Sequence, residues 1–386
     1  MTAITAVRLT SVNTPRSTGL ICGHVIVELE TDDGLVGIGE MSDFQHLPRF
    51  HVDVVDLQRS LEAMLVGLDI WAANRATTLL EQAFPSAGSL YDKGAVIRCG
   101  IDIALWDLRG KAGGRSVSDL LGGQVRPTLP VAYPIFRQRA EADIEANLEV
   151  VRSRLAEGFT MFRVYVGGDL GLDERFLRAL RDRFGDTVQI KSLDFSNLLD
   201  STQAIRFIER TIELDYALVE APAHEGDIAG LGEVRRRTLV PVSEHVYDGA
   251  AGLRLAGARA VDVLNVGLFA LGGLTAALRV VSIAESAGLA CLIGTTQELA
   301  IGTAAAAHLG VTSAAATVAA DPVGPLLYTA DVVKDPLEYR DGALVPPVGP
   351  GLGVEIDPER LAAIAGPLTW DTGATTSILD RVGGPS

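Results

Sequence analysis

Cysteine, basic residues and long uncharged apolar runs are all scarce in this 386-residue chain, and each scarcity closes off a class of function. The three cysteines, Cys22, Cys99 and Cys291, cannot build a disulfide framework, and none stands in a CxxC pair. They read as small core residues in a reducing compartment. Lys and Arg number 33 against 49 Asp and Glu, a formal net charge of −16. A surface that tracks phosphates is basic, so nucleic acid is excluded as a partner. An anionic membrane would repel the chain as well. No run reaches the length of about 18 uncharged apolar residues that spans a membrane. The Ala-rich stretch near 300–320 comes nearest, and Gly302, Thr303, His308 and Gly310 interrupt it. The opening MTAITAVRLTSV has no charged start followed by an apolar block, so a cytoplasmic protein is expected.

Apolar residues themselves are plentiful. They make up 48% of the chain against 21% charged, which excludes intrinsic disorder and suits a large core. The length fits two domains, or one with an appendage. Residues 3–12 and 24–40 alternate like strands, with Asp33-Gly34 as a hairpin turn. Residues 51–120 turn helical, with apolar residues three and four apart. Strands followed by helices predict an α+β unit of residues 1–125.

From residue 127 short apolar strands alternate with amphipathic helices. Strands are predicted at 129–135, 161–166, 188–194, 216–222, 239–245, 260–266 and 289–294, with a weaker one at 316–321. Polar or special residues end them: Tyr165, Asp194, Glu220, His245, Gly267, Thr295 and Asp321, at intervals of 22–29 residues. One βα unit per interval predicts a (β/α) barrel, whose active site lies at the C-terminal strand ends. An open doubly wound sheet has the same rhythm but normally carries a Gly-rich loop after its first strand, and VAYPIFRQR has none. P-loop, HExxH and GxSxG motifs are absent too.

Asp194, Glu220 and His245 end three consecutive strands, which are neighbours in a barrel, so their side chains can converge on one cation. Singly, each also has an ordinary structural reading, such as the helix cap an Asp often forms after a strand.

The layout resembles the enolase superfamily, in its mandelate racemase and muconate lactonizing branch. LETDDGLVGIGE resembles the family's early hairpin, and GIDIALWDLRGKAGGRSVSDLLGG its helix before the barrel. LDFSN resembles its third-strand ligand motif, LVEAP its fourth-strand motif, and VPPVGPGLGVEID its closing segment. The resemblance implies an α/β protein with a (β/α)7β TIM-like barrel at 126–344. An α+β N-terminal capping domain, 1–125, would be completed by a C-terminal segment, 345–386. It also implies Mg²⁺ held by acidic strand-end residues and removal of a proton beside a carboxylate.

Departures from the family pattern refine the expectation. Arg163-Val164-Tyr165 stands where most relatives carry Lys-x-Lys, and Gly267 where the lactonizing group has Lys. The racemase group's seventh-strand His is missing from GTTQE. Counting from Pro241 makes His245 the fifth-strand ligand, with Glu244 as the alternative. These oddities resemble a divergent acid-sugar dehydratase type. That resemblance implies Arg163 and Tyr165 as the base, Tyr91 as the acid, and Asp194, Glu220 and His245 as the metal ligands. The function expected is therefore metal-dependent dehydration of an acid sugar, galactarate first, to a 2-keto-3-deoxy acid. An epimerase or cycloisomerase of another carboxylate, or a non-catalytic metal-binding barrel, is the alternative.

The chemistry is coherent on its own terms. A cation stabilises the enediolate as charge develops. A guanidinium beside Tyr165 favours its phenolate, and residues 163 and 165 share one face of a strand. Imidazole among the donors makes Mn²⁺ a candidate beside Mg²⁺. The chain's net negative charge opposes an anionic substrate, so capture falls to local groups. Arg16, His46, Asn197, Thr295, Thr296 and Asp321 are the expected substrate contacts, and Lys191 and Glu298 stand in reserve as bases. A small-molecule carboxylate is the expected partner, and a homo-oligomer the expected assembly by analogy with the family.

Overall fold

The computed structural model describes residues 2–42, 44, 52–89 and 92–369. Three antiparallel strands open the chain, β1 (Ile4–Pro15), β2 (Ile21–Thr31) and β3 (Val36–Met41), in that order in one sheet. The predicted turn is present between β2 and β3, with Gly34 at φ +84°, a conformation that favours glycine. Helices α1 (Val54–Leu65), α2 (Ala73–Ala83), α3 (Lys93–Gly113) and α4 (Val117–Leu120) follow. α1 buries one stripe, Leu57, Leu61 and Leu65, at helical spacing. α3 is buried nearly all round because it lies between the sheet and the barrel. Glycines let β3 lie directly on it. A Cβ on Gly39 would sit 2.0 Å from the Gly100 carbonyl oxygen, and one on Gly37 2.4 Å from that of Ala104.

The chain then enters the barrel. β4 (Leu129–Pro130) comes first and lies outside the barrel sheet, whose strands are β5 (Tyr133–Ile135), β6 (Met161–Tyr165), β7 (Gln189–Asp194), β8 (Tyr216–Glu220), β9 (Val242–His245), β10 (Val263–Val266) and β11 (Ala290–Ile293). The helices are α5 (Glu141–Ala156), α6 (Leu170–Phe184), α7 (Ser201–Thr211), α8 (Ile228–Thr238), α9 (Gly249–Gly257), α10 (Leu268–Leu271), α11 (Leu274–Ala287) and α12 (Ala300–Thr312). β5 to β11 form one parallel sheet in chain order. α7 shows why the helices face it. Asp200 and Gln203 form a capping box, and Ala204, Ile205, Phe207, Ile208 and Thr211 make one buried stripe. Phe207 meets Phe195 edge-on, and burying such a side chain stabilises by about 1.5–3 kcal/mol.

The sheet closes on itself at residue 320. Ala320 bridges Val131 in parallel and its carbonyl accepts from Ala132 N–H at 2.8 Å, while Asp321 N–H donates to Ile293 O at 2.9 Å. The predicted eighth strand is thus a single bridge, and the fold is the expected cap over a (β/α)7β barrel. A short hairpin of β12 (Tyr339–Arg340) and β13 (Ala343–Leu344) then pairs with β4. The chain beyond it, with α13 (Pro358–Ile364), returns to the N-terminal unit. Val117 N–H donates to Gly351 O at 2.8 Å, Leu352 N–H to Asp107 Oδ1 at 2.8 Å, and Gly366 N–H to Ser11 O at 3.0 Å.

Glu40 of β3 fixes the cap over the barrel mouth. Its buried carboxylate accepts from Leu299 N–H at 2.8 Å and Gly302 N–H at 2.9 Å at the start of α12. That is where a helix presents unpaired donors and the positive end of its dipole. All three cysteines are buried. Among the described residues no helix is long and apolar enough to cross a membrane.

Candidate active site

Parallel register places three of the predicted site residues in one row. Tyr165 of β6 pairs with Asp194 of β7, and Asp194 with Glu220 of β8. Neighbours in register share a face, so all three side chains point into the barrel. The row continues through Ser243, which pairs with Glu220, and alternation brings His245 to the same face. His245 Nε2 lies 3.5 Å from Glu220 Oε1. Glu244 points away and is held by Asn197 Nδ2 at 3.0 Å and by the His245 N–H at 2.7 Å.

A β-bulge changes what lies beneath this row. Phe162 pairs with Ile190 but Arg163 with Ser192, so Lys191 is the extra residue. The sequence predicts Lys191 lower on the barrel wall, three residues before Asp194. There the structure places it, beneath the row and 2.7 Å from Asp321 Oδ1 and 3.8 Å from Glu220 Oε2. Asp321 Oδ2 lies 3.0 Å from Arg163 Nη1. Arg163 is thus a member of a buried ion network, and its Cζ also lies 4.8 Å from the centre of the Tyr165 ring. Burial opposes the Arg163 charge, but Asp321 first, then Tyr165 and Glu220, hold it above its ordinary range.

The carboxylates show the strain of like charges in a dry place. Burial, and then the charge of Asp194, push Glu220 up to about 7, with Lys191 pulling the other way. Burial works against a charged His245, yet the Glu244 carboxylate 3.5 Å from its Nδ1 and the charge of Glu220 raise it to about 9. Glu220 Oε2 is buried with no hydrogen-bond partner in the structure. A divalent cation would relieve both the crowding and the orphaned oxygen, so the donor set fits one. The cage is not ready-made: among the described residues no three His, Cys, Asp or Glu side chains are gathered tightly enough to hold an ion. Asp194 Oδ1 is occupied by Ser196 N–H at 2.8 Å and Ser196 Oγ at 2.9 Å.

The other expected contacts are dispersed. Asn197 spends its amide on Glu244 and the Ala223 carbonyl. Thr295 Oγ1 donates to Glu298 Oε2 at 2.7 Å, and Thr296 Oγ1 to Ser42 Oγ at 3.3 Å, so both hydroxyls hold the loop after β11. Burial pushes Glu298 up to about 7. Arg16 lies at the seam between cap and barrel, its Cζ 5.5 Å from the centre of the Tyr328 ring. Tyr91 and His46 lie outside the described residues.

Asn265 was missed by sequence reasoning. It donates to Glu220 Oε1 at 2.9 Å and occupies space that only Gly294 leaves, since a Cβ there would lie 2.0 Å from Asn265 Oδ1. Its signal was a polar residue inside the apolar strand AVDVLNV.

Comparison with known proteins agrees with this architecture. Residues 2–122 match the mandelate racemase / muconate lactonizing enzyme N-terminal domain, and residues 146–360 the enolase C-terminal domain-like family. Muconate cycloisomerase 1 of Pseudomonas putida is 32% identical over 351 residues, covering 88% of this chain and 90% of its own. A chloromuconate cycloisomerase of Cupriavidus necator is 30% identical over 346 residues, covering 88% of this chain and 90% of its own. A muconate lactonizing enzyme structure superposes with a TM-score of 0.84 at 28% identity, covering 94% of this chain and 100% of its own. The fold and the strand-end carboxylates define a barrel enzyme of the enolase type. The chain belongs to the enolase superfamily, in its mandelate racemase / muconate lactonizing branch.

These relatives overturn the expectation of an acid-sugar dehydratase acting on galactarate. That expectation rested on a few positions, whereas similarity to cycloisomerases runs through 88% of the chain. In the structure Arg163 is 3% exposed, paired with Asp321 and beside the Tyr165 ring.

Proposed function

We propose that the protein is a divalent-metal-dependent enzyme of cycloisomerase type acting on a small carboxylate. The observation that carries this reading is the row Tyr165, Asp194, Glu220 at three adjacent strand ends. The names of the relatives support it. Asp194, Glu220 and His245 would hold the ion, with Glu244 as the alternative to His245. Mg²⁺ is the expected ion, and an imidazole donor suits Mn²⁺ as well. When bound, the ion stabilises negative charge on the substrate carboxylate while its α-carbon exchanges a proton.

Tyr165 is the proton carrier. In ring closure, a nucleophilic oxygen of the substrate bonds to the β-carbon and the double-bond electrons shift toward the carboxylate. The Tyr165 phenol then gives its proton to the α-carbon. In ring opening the phenolate takes that proton and the bond at the β-carbon breaks. Arg163 beside the ring favours the phenolate. No water enters or leaves, so this reading gives Tyr91 no required step. It also favours cycloisomerisation over epimerisation. Epimerisation needs proton carriers on both faces, and β10 is followed by Gly267 and the buried apolar Leu268 and Phe269.

Incubation with Mg²⁺ or Mn²⁺ in deuterated water tests the reading, using a panel of unsaturated dicarboxylates and lactones. The expected product is an isomer carrying one deuterium at the α-carbon. Loss of water, or no exchange with any carboxylate, would count against it. The cytoplasm and a homo-oligomer are part of the same proposal, and light scattering tests the latter.

A further inference from the structure

Arg137 follows β5, at a position no motif marks, yet it touches two parts of the site at once. Its Nε donates to Val166 O at 2.8 Å, next to Tyr165. Its Nη2 donates to Ser196 Oγ at 2.7 Å and, at a longer 3.4 Å, to Asp194 O. One planar head therefore ties the ends of β6 and β7 together. Its Cζ also lies 5.2 Å from the centre of the Tyr165 ring. Phe136 is stacked on that ring at 5.6 Å and 18°.

Proton counting gives this contact a direction. The Ser196 hydroxyl has one hydrogen and donates it to Asp194 Oδ1, so toward Arg137 it accepts. Arg137 thereby fixes the rotor of Ser196. The Ser196 hydroxyl and N–H then keep Oδ1 doubly occupied, and neither bond engages the other oxygen, Oδ2. Asp173 lies close enough for its charge to act on Arg137, and it holds the loop after β6 by accepting from Gly167 N–H at 2.8 Å.

We propose that Arg137 is a positioning residue. Through Ser196 it sets the Asp194 carboxylate for the cation, and through its stacked head it holds Tyr165 beside that cation. The inference rests on the reading of Asp194 and Glu220 as ion ligands and of Tyr165 as the proton carrier. A lysine has no planar fork and cannot make these contacts together.

The test measures Mn²⁺ affinity by calorimetry on the full chain without substrate. Variants are Arg137→Ala, Arg137→Lys, Ser196→Ala and the Arg137→Ala/Ser196→Ala double. Partners that orient metal ligands typically change affinity by about 10- to 100-fold, and losses at that scale are expected for both alanine variants. The double variant should be no weaker than the worse single, because both act on one link. Arg137→Lys should not restore affinity. Arg181→Ala, which removes an arginine bound to the Leu214 and Val188 carbonyls at the other end of the barrel, should leave affinity unchanged. Should Arg137→Ala fail to fold, Arg137→Met keeps the alkyl stem and carries the same test. With substrate, Arg137→Ala should lower kcat more than it raises KM. Wild-type affinity in Arg137→Ala, additive losses, or rescue by lysine overturns the inference alone. Wild-type protein that binds no divalent ion overturns the functional reading beneath it.

Discussion

Lys191 Nζ and Asp321 Oδ1 meet at 2.7 Å inside the barrel, joining the third strand to the segment that closes the sheet. The other oxygen of Asp321 faces Arg163. One carboxylate therefore separates two buried cations directly under the reactive row. Removing one partner of a buried ion pair costs about 3–5 kcal/mol, because the other charge is left uncompensated. Asp321→Asn should lose stability on that scale in urea denaturation. A loss under about 1 kcal/mol would show that the network is not holding the barrel closed.

The cap should loosen when Glu40 loses its charge. Glu40→Gln weakens two charge-assisted bonds at the start of α12 and sets an NH₂ group against N–H donors. Such bonds contribute roughly 1.5–3 kcal/mol each. Thermal melting should report a clear drop, and limited proteolysis should cleave the variant between cap and barrel sooner than wild type. Equal protease resistance would argue that α3 alone fixes the cap.

Glu298 should make stability fall with pH. Burial raises its folded value to about 7, above the ordinary range of a free glutamate. A raised pKa means that the folded state binds the proton more tightly than the unfolded state. The resulting stability is complete below the unfolded value and is lost as pH rises through about 7. Between pH 5 and pH 8 the wild-type Tm should therefore fall more than that of Glu298→Gln, a window of about three pH units set by these two values. Parallel Tm curves would remove Glu298 as the cause.

The third ligand is decided by comparing His245→Ala with Glu244→Gln in ion titrations. His245 shares the inward face with Glu220, while both oxygens of Glu244 already accept hydrogen bonds. His245→Ala should weaken Mn²⁺ binding strongly and Glu244→Gln weakly. The reverse order would move the ligand to Glu244. Asp194→Asn and Glu220→Gln should abolish binding in either case.

Much of this was legible in the sequence, for definite reasons. The barrel announced itself because each strand is a short apolar run ending in a polar residue, and the regular spacing placed Tyr165, Asp194 and Glu220 at neighbouring strand ends. Lys191 was placed lower on the barrel wall, but its pairing with Asp321 was not legible, because a bulge adds one residue without any composition cue. The short eighth strand was weak in the text because its pairing is a single bridge at Ala320. Arg137 was invisible because its contacts come from loop geometry. The activity was misread because Arg163-x-Tyr165 is a local pattern, while the relatives match along most of the chain. Short strand-end text reports which side chains are present and not which bond the enzyme breaks.

Proton exchange by Tyr165→Phe tests the account most directly. The variant keeps the ring stacked on Phe136 and leaves Asp194 and Glu220 untouched, so Mn²⁺ affinity should stay within about twofold of wild type, a difference of under 0.5 kcal/mol. Removing a positioned acid–base group typically costs about 10²- to 10⁴-fold. Deuterium incorporation at the α-carbon of a turned-over carboxylate should therefore fall by at least that lower bound, with kcat reduced more than KM is raised. Exchange at the wild-type rate, with the ion still bound, would contradict the account and move the proton carrier to Lys191 or another residue.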